Sequence, residues 1–411
     1  MASEREPTIE HPQGPSASTP VAPPGGSPGD PRAAQGLGRR VSRRDVLAGG
    51  LATGVAAGLG VLGSAPAMAA VRRPQASGKF KIALANSYIG NTWRIEMENL
   101  VKAAALMPPY KQLLDLTVYN APTTSNSAQA SQMSDMIASG FDAILIDAAS
   151  ATGLNGVITE ATKRGIIVVA FDNNVTAPSA AQIQVNQLFF GQTWANFLVE
   201  KLNGKGNVIM VTGVAGAEAN VLRNQGGMEV FAKHPGIKVV TTYSGQWSTP
   251  KAQEATTSVL PSLPHIDGIW CQGGTDGVLN AFVEGGRPLP FTAGEAENGF
   301  RLYMAGVGGP KHDLSVDGIS VGQPPYLSVA ALELARRLLQ KHPGQSASVT
   351  LDAPVFLSSQ VKVGNGAYPA LPDGFYDSYT GVGAGATLIM CLNAALHGTP
   401  CPGTLTVNIP K

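Results

Sequence analysis

Residues 141–174 read FDAILIDAASATGLNGVITEATKRGIIVVAFDNN, and the pattern inside this block sets the fold. DAILIDA and IIVVAFDN are short, continuous apolar runs rich in β-branched residues. Such runs belong to strands buried on both faces, as in a parallel sheet. GLNGVITEATKRG between them has helical spacing, so the block reads as strand, helix, strand.

The same alternation extends upstream. FKIALAN reads as a strand, NTWRIEMENLVKAAA as a helix, LLDLTVYN as a strand and SAQASQMSDMIASG as a helix ended by Gly140. Together these units fill about 95 residues, the size of one doubly wound domain. Downstream, after NNVTAPSA, the pattern restarts with the strand QIQV, the helix FFGQTWANFLVEKL and the strand GNVIMVTG. It runs on through ANVLRNQGGMEVFAKH, KVVTTYS, TPKAQEATTSVL, DGIWCQG and TDGVLNAFVEG to LPFTAG, a second lobe of similar size. DGISVGQ then reads as a strand, PYLSVAALELARRLLQKH as a long helix and VFLSSQVKV as a last strand.

The N-terminus follows other rules. Residues 1–38 are rich in Pro, Ser, Gly and Ala, and cannot bury enough apolar surface to offset chain entropy. RRVSRRDVL follows, then AGGLATGVAAGLGVLG and the small-residue end APAMAA. This resembles a twin-arginine export signal with Arg43 and Arg44 as the pair, so residues 1–70 are expected to be a disordered start plus signal peptide. A membrane anchor is the competing reading, but the stretch is Gly-diluted and falls short of the ~20 strongly apolar residues of a stable span. The cysteines are Cys271, Cys391 and Cys401, none placed for a lipid anchor. The expected location is periplasmic or extracellular. In an oxidising compartment Cys391 and Cys401 are candidates for a disulfide if their geometry allows it, leaving Cys271 as a lone thiol.

Without residues 1–73, which hold 8 Arg and 5 acids, the balance is 29 − 8 = 21 basic against 28 − 5 = 23 acidic residues. A net charge near −2 gives no electrostatic case for nucleic acid or a membrane surface. Motif matches for catalysis fail on context. Gly58-x-Gly60-x-x-Gly63 lies in the export signal with no strand before it, and no G-x-x-x-x-G-K-[ST] loop occurs. Gly318-Ile-Ser320-Val-Gly322 has nucleophile-elbow spacing, but Ser320 falls inside a strand and the turn comes at Gln323-Pro324-Pro325. The six His are scattered without metal-ligand spacing, so no metal or cofactor is expected.

Open parallel sheets bind ligands just beyond the carboxyl ends of their strands. In this chain those positions carry Asn91, Trp93, Arg94, Asp147, Asp172, Asn173, Arg223, Trp247, Gly274 to Asp276, Glu295 and Gln323. Carboxylates and amides suit vicinal hydroxyls, Arg suits a ring oxygen, and aromatic faces suit C–H patches. The set is what a sugar site needs.

At residues 79–363 the chain resembles the periplasmic sugar-binding proteins of ABC importers, the ribose-binding-like class. The resemblance rests on KIALANSYIGNTW, the 141–174 block, GNVIMVTGVAGAEANVLRNQGGMEVF, DGIWCQGGTDGVLNAF and the Gln323 turn. It implies an α/β fold of two doubly wound parallel-sheet lobes, the type I periplasmic binding protein fold, with a three-segment hinge near 174, 323 and 352. The N-terminal lobe would be 78–174 and 324–352, the C-terminal lobe 175–323 and 353–363, and 364–411 an irregular tail wrapping the surface.

The resemblance also assigns roles: Asn91 and Trp93 after the first strand, Trp247 as the facing aromatic, Asp172 and Arg223 as polar contacts, and Gln323 at the hinge. Where the ribose pattern has a second aromatic, an Arg, an Asn and a late Asp, this chain has Arg94, Asn173, Thr275 nearby and Glu295. Those departures put ribose itself in doubt and leave a pentose, hexose or polyol. The implied function is non-enzymatic: a monomeric receptor that hands its sugar to a membrane permease coupled to an ATPase. A receptor presenting the same ligand to a chemoreceptor or sensor kinase is the alternative, and a secreted hydrolase built on Ser320 a remote one.

Overall fold

The computed structural model describes residues 78–122, 125–310, 313–376, 387–388 and 391–410. Arg43, Arg44 and the Gly58–Gly63 spacing lie outside the described residues. Two six-stranded sheets organise the rest. The first contains β1 (Phe80–Asn86), β2 (Leu114–Asn120), β3 (Ala143–Asp147), β4 (Ile167–Phe171) and β5 (Ala181–Val185). The second contains β6 (Gly206–Thr212), β7 (Ile237–Ser244), β8 (Gly268–Cys271), β9 (Phe291–Glu295) and β10 (Gly318–Val321). Late in the chain β11 (Ser348–Leu351) joins the first sheet and β12 (Val355–Leu357) the second.

The spatial orders are 11-5-4-3-1-2 and 12-10-9-8-6-7. Every pairing is parallel except β10 with β12, an antiparallel edge. The apolar runs explain this. Along β1 and β3, Ile82, Leu84, Ala143 and Leu145 pack into one core, while Ala83, Ala85, Ile144 and Ile146 pack into another on the opposite face. Successive side chains point to opposite faces, so a continuous apolar strand requires helices on both sides. In the second sheet Val208, Met210 and Trp270 face one core and Ile209, Val211 and Ile269 the other.

The first crossing differs from the sequence expectation. AQIQV forms β5 and pairs with β4 (Val169↔Ala181, Phe171↔Ile183) and with β11 (Gln182↔Ser348, Leu351↔Val185), so it belongs to the first sheet. The chain therefore crosses near Asn186, not near 174. The helix Gln187–Lys201 then packs on the helix Glu218–Phe231 of the second lobe. Two later crossings follow β10 and β11: the helix Leu327–Leu339 returns to the first lobe, and residues 352–354 lead to β12.

The tail is not confined to the surface. Phe375 and Tyr376 are buried, and Leu405, Val407 and Ile409 pack into the same core as β1. The helix Leu392–His397 lies on the helix Thr92–Ala105, where Asn99 Nδ2 donates to Ala395 O at 2.9 Å. Cys391 and Cys401 form a disulfide with Cα atoms 5.6 Å apart, and Cys271 is a buried free thiol.

Candidate functional site

The strand ends of the two sheets face each other across a cleft holding about 340 Å³ of space, the open solvent at its mouth included. The first lobe supplies Asn91, Trp93, Arg94 and Asp172; the second supplies Arg223, Trp247 and Glu295; and Gln323 comes from the second crossing.

On the first lobe, Asn91 caps the helix Thr92–Ala105 by accepting from Arg94 N at 2.9 Å. This cap aims the next turn at the cavity. Trp93 donates from Nε1 to the Gln323 carbonyl at 2.8 Å, which ties the indole to the hinge. Arg94 turns toward Asp147: Nη1 stands 2.7 Å from Asp147 Oδ2, with both side chains buried. It also bonds Asn86 Oδ1 and lies 4.2 Å from the centre of the Tyr88 ring. The Asp147 oxygen facing Arg94 takes no aligned hydrogen bond, so the contact there is charge attraction. Burial pushes Asp147 up to about 7 even with Arg94 pulling it down.

Asp172 follows β4 with φ 59°, in the left-handed region, which non-glycine residues occupy at a cost of roughly 1–3 kcal/mol. The strain turns its carboxylate to the cavity, where Oδ1 accepts from Gln323 Nε2 at 2.6 Å and Oδ2 from Asn173 Nδ2 at 2.9 Å. Burial raises its pKa, and Arg94 and Arg223 oppose the shift. Asn173 is not on this cavity. It lines an adjoining part of the cleft with Tyr88 and Trp247, bonds Asp147 Oδ1 at 3.1 Å, and accepts from Ala219 N of the second lobe at 3.3 Å.

On the second lobe, glycines let two helices meet closely enough to place Arg223. A Cβ on Gly191 would stand 1.9 Å from Arg223 O, and one on Gly226 would stand 2.4 Å from Leu188 O. Arg223 Nε donates to Gln187 Oε1 at 2.8 Å and Nη2 to Glu295 Oε1 at 3.1 Å, with the guanidinium 4.5 Å from the Phe190 ring centre. Trp247 follows Gln246, both with φ near +54° (54° and 53°), and donates from Nε1 to Gln272 Oε1 at 3.2 Å. Its indole occupies the space left by the missing side chain of Gly213, where a Cβ would stand 2.1 Å from the ring.

Thr275 is fully buried and lies on neither part of the cleft. Its N–H donates to Glu297 Oε2 at 3.0 Å, so it organises the loop after β8 instead of reaching the cavity. Ser320 is buried within β10 and accepts from Arg301 Nε at 3.0 Å, with strands on both sides and no turn at the residue. Among the described residues no group of three or more His, Cys, Asp or Glu could hold a metal ion. Sequence reasoning missed Tyr376, which lines the cavity from the C-terminal segment. FYDSY is an aromatic cluster in a chain with only 6% aromatic residues, the one signal that could have drawn attention to it.

Burial dominates the electrostatics. It pushes Glu295 up to about 8, against the pull of Arg223. A carboxyl with a raised folded pKa keeps its proton in the fold at pH values where the unfolded chain has lost it. Its contribution is therefore full below the ordinary value of 4.5 and is lost as pH rises through about 8. The ligand-free chain is expected to melt at progressively lower temperature from pH 5 to pH 8.5, with a shallower fall in Glu295→Gln. Equal slopes in calorimetric scans of the two proteins would remove Glu295 as the source.

The sequence matches the family described as a periplasmic binding protein domain over residues 82–343. It is 30% identical over 174 residues to a xylitol-binding protein of Mycolicibacterium smegmatis, covering 41% of this chain and 50% of that protein. Over 186 residues it is 25% identical to a D-allose-binding periplasmic protein of Escherichia coli, covering 42% and 60%. The chain thus spans about half the length of these curated relatives. Among solved structures, an ABC transporter solute-binding protein from Thermobispora bispora matches with a TM-score of 0.66 and 30% identity, covering 74% of this chain and 92% of that one.

Proposed function

Since the chain belongs to the periplasmic binding protein domain family, we propose that it captures a monosaccharide or polyol between its lobes and delivers it to an ABC importer. One observation carries this reading: groups from both lobes and the hinge converge on one cavity. Asp172, Glu295, Gln323 and Arg223 offer planar groups whose paired acceptors and donors suit adjacent hydroxyls. Trp93 and Trp247 offer flat apolar faces. Asn91 and Arg94 complete the first-lobe wall, with Arg94 held by Asp147, and Asn173 ties the two lobes at the edge of the site.

The ligand contacts both lobes, so its affinity for the closed arrangement exceeds that for the open one, and this difference drives closure. The closed face then engages a permease coupled to its ATPase, with the receptor acting as a monomer. Export by the twin-arginine route through Arg43 and Arg44 belongs to the same proposal. So does a periplasmic or extracellular location without a lipid anchor. Among the described residues no helix is long and apolar enough to cross a membrane.

Thermal-shift screening of the exported chain against xylitol, D-allose, D-ribose, L-arabinose, myo-inositol and gluconate tests the reading. A ligand present at 100 times its Kd should stabilise the fold by about 2.7 kcal/mol, visible as a rise in Tm. No rise with any neutral sugar or polyol at millimolar concentration would overturn it.

A further inference from the structure

Tyr376 reaches the cavity from the C-terminal segment, not from either sheet. That segment is clamped on the second lobe at the start of the helix Asn298–Met304. Asn298 N donates to Phe375 O and Gly299 N to Asp373 O, both at 2.7 Å, and Asn298 Nδ2 donates to Tyr368 O at 3.0 Å. It is also held on the first lobe. Tyr376 N donates to Glu96 Oε1 at 2.9 Å, on the same helix as Trp93 and Arg94. Gly374 lies so close to Thr92 that a Cβ there would stand 2.5 Å from its Oγ1.

The Tyr376 hydroxyl connects to the rest of the site. It donates to Glu297 Oε1 at 3.2 Å, and Glu297 also accepts from Gly274 N at 2.6 Å and Thr275 N at 3.0 Å. The same loop touches the cavity walls: a Cβ on Gly273 would stand 3.2 Å from Trp247 Cδ1 and 3.3 Å from Glu295 Oε2. Both bonds of Tyr376 go to carboxyl groups in a buried setting, where a lost partner is not replaced by water.

We propose that residues 368–376 are a fourth connection between the lobes and that Tyr376 is a ligand-contacting residue, so that the tail holds the lobes together around the ligand. Parting the lobes requires either the Glu96 bond or the clamp at residues 297–299 to break. The ligand class is the neutral monosaccharide or polyol of the proposed function, on which the contact half of this inference rests. The phenol ring presents a flat face to C–H groups and an edge hydroxyl already oriented by Glu297.

Two measurements test it on the full chain. In the first, nitroxide labels at Ser127→Cys and Val221→Cys report lobe separation by pulsed electron resonance without any sugar. Glu96→Ala, which removes the acceptor of Tyr376 N, should shift the distance distribution to longer values than in the labelled parent, and identical distributions would overturn the connection. If Glu96→Ala fails to fold, Asn298→Ala, which removes the side-chain bonds of the clamp to residues 368–372, is read in the same way. In the second, calorimetry with whichever of xylitol, D-allose, D-ribose or L-arabinose binds the parent should show roughly tenfold weaker binding in Tyr376→Ala and a smaller loss in Tyr376→Phe. Unchanged affinity in Tyr376→Ala would overturn the contact. Absence of binding in the parent counts against the sugar reading alone, and the lobe-separation result still decides whether the tail is a connection.

Discussion

Replacing Asp147 with alanine is expected to cost about 3–5 kcal/mol of folding stability, the usual penalty for stranding one member of a buried ion pair. The Arg94 and Asp147 side chains are 3% and 0% exposed, so water cannot take over the role of the lost carboxylate. What remains near the guanidinium is the Asn86 amide oxygen and the Tyr88 ring, neither of which carries a charge. Asp172 contributes attraction but is engaged with Gln323 and Asn173. The cost is for a stranded charge and not for a missing contact. The double variant Arg94→Met, Asp147→Leu should therefore recover most of the stability, since well-packed apolar replacements of buried pairs are often neutral. Urea unfolding checks both statements. A single-variant loss below about 1 kcal/mol, the scale of an exposed pair, or a double variant no better than the single, would show that the pair is not desolvated as described.

Gly213→Ala is expected to abolish the Trp247 wall while leaving the fold standing. The added methyl would sit 2.1 Å from the indole, inside any real contact distance, so the ring must leave its place. Repacking costs roughly 1–3 kcal/mol of stability. Losing a flat partner for the ligand costs roughly 1–3 kcal/mol of binding by analogy with base stacking, or about 5- to 150-fold in Kd. Trp247→Ala should give a loss of the same size, and the two substitutions together should not add. Gly156→Ala, where a Cβ would meet nothing within 4 Å, serves as the control. If Gly213→Ala binds like the parent in calorimetry, Trp247 is not a wall of the site.

Much of this was legible because burial on both faces leaves a simple trace. AILID in β3 is buried at all five positions, and such a run has few alternatives to a central parallel strand. β5 was misplaced for the opposite reason. AQIQV alternates buried with half-buried positions and sits near the sheet edge, so it reads as a strand without showing which sheet it joins, and NNVTAPSA before it resembles a lobe boundary.

At the site, the rule that ligands gather beyond strand ends picked out Asp172, Glu295 and the two Trp, all of which line the cavity. It cannot tell which polar groups serve one another. Thr275 gives its N–H to Glu297, and Arg94 is held by Asp147 within its own lobe. Tyr376 was illegible on different grounds. Its partners Glu297 and Glu96 lie 79 and 280 residues upstream, in a tail with no helical or strand period to announce burial.

The late return of β11 to the first sheet bears on how the chain is made. Gln182 and Ile183 in β5 wait for Ser348 and Val349 to emerge before their outer edge is paired. At translation speeds of about 5–20 residues per second, the nascent chain exposes that edge for on the order of ten seconds. Throughout that interval the second lobe's strands are leaving the ribosome beside it, each able to pair with an open edge. Completion of the first lobe is thus timed by the synthesis of the last quarter of the chain.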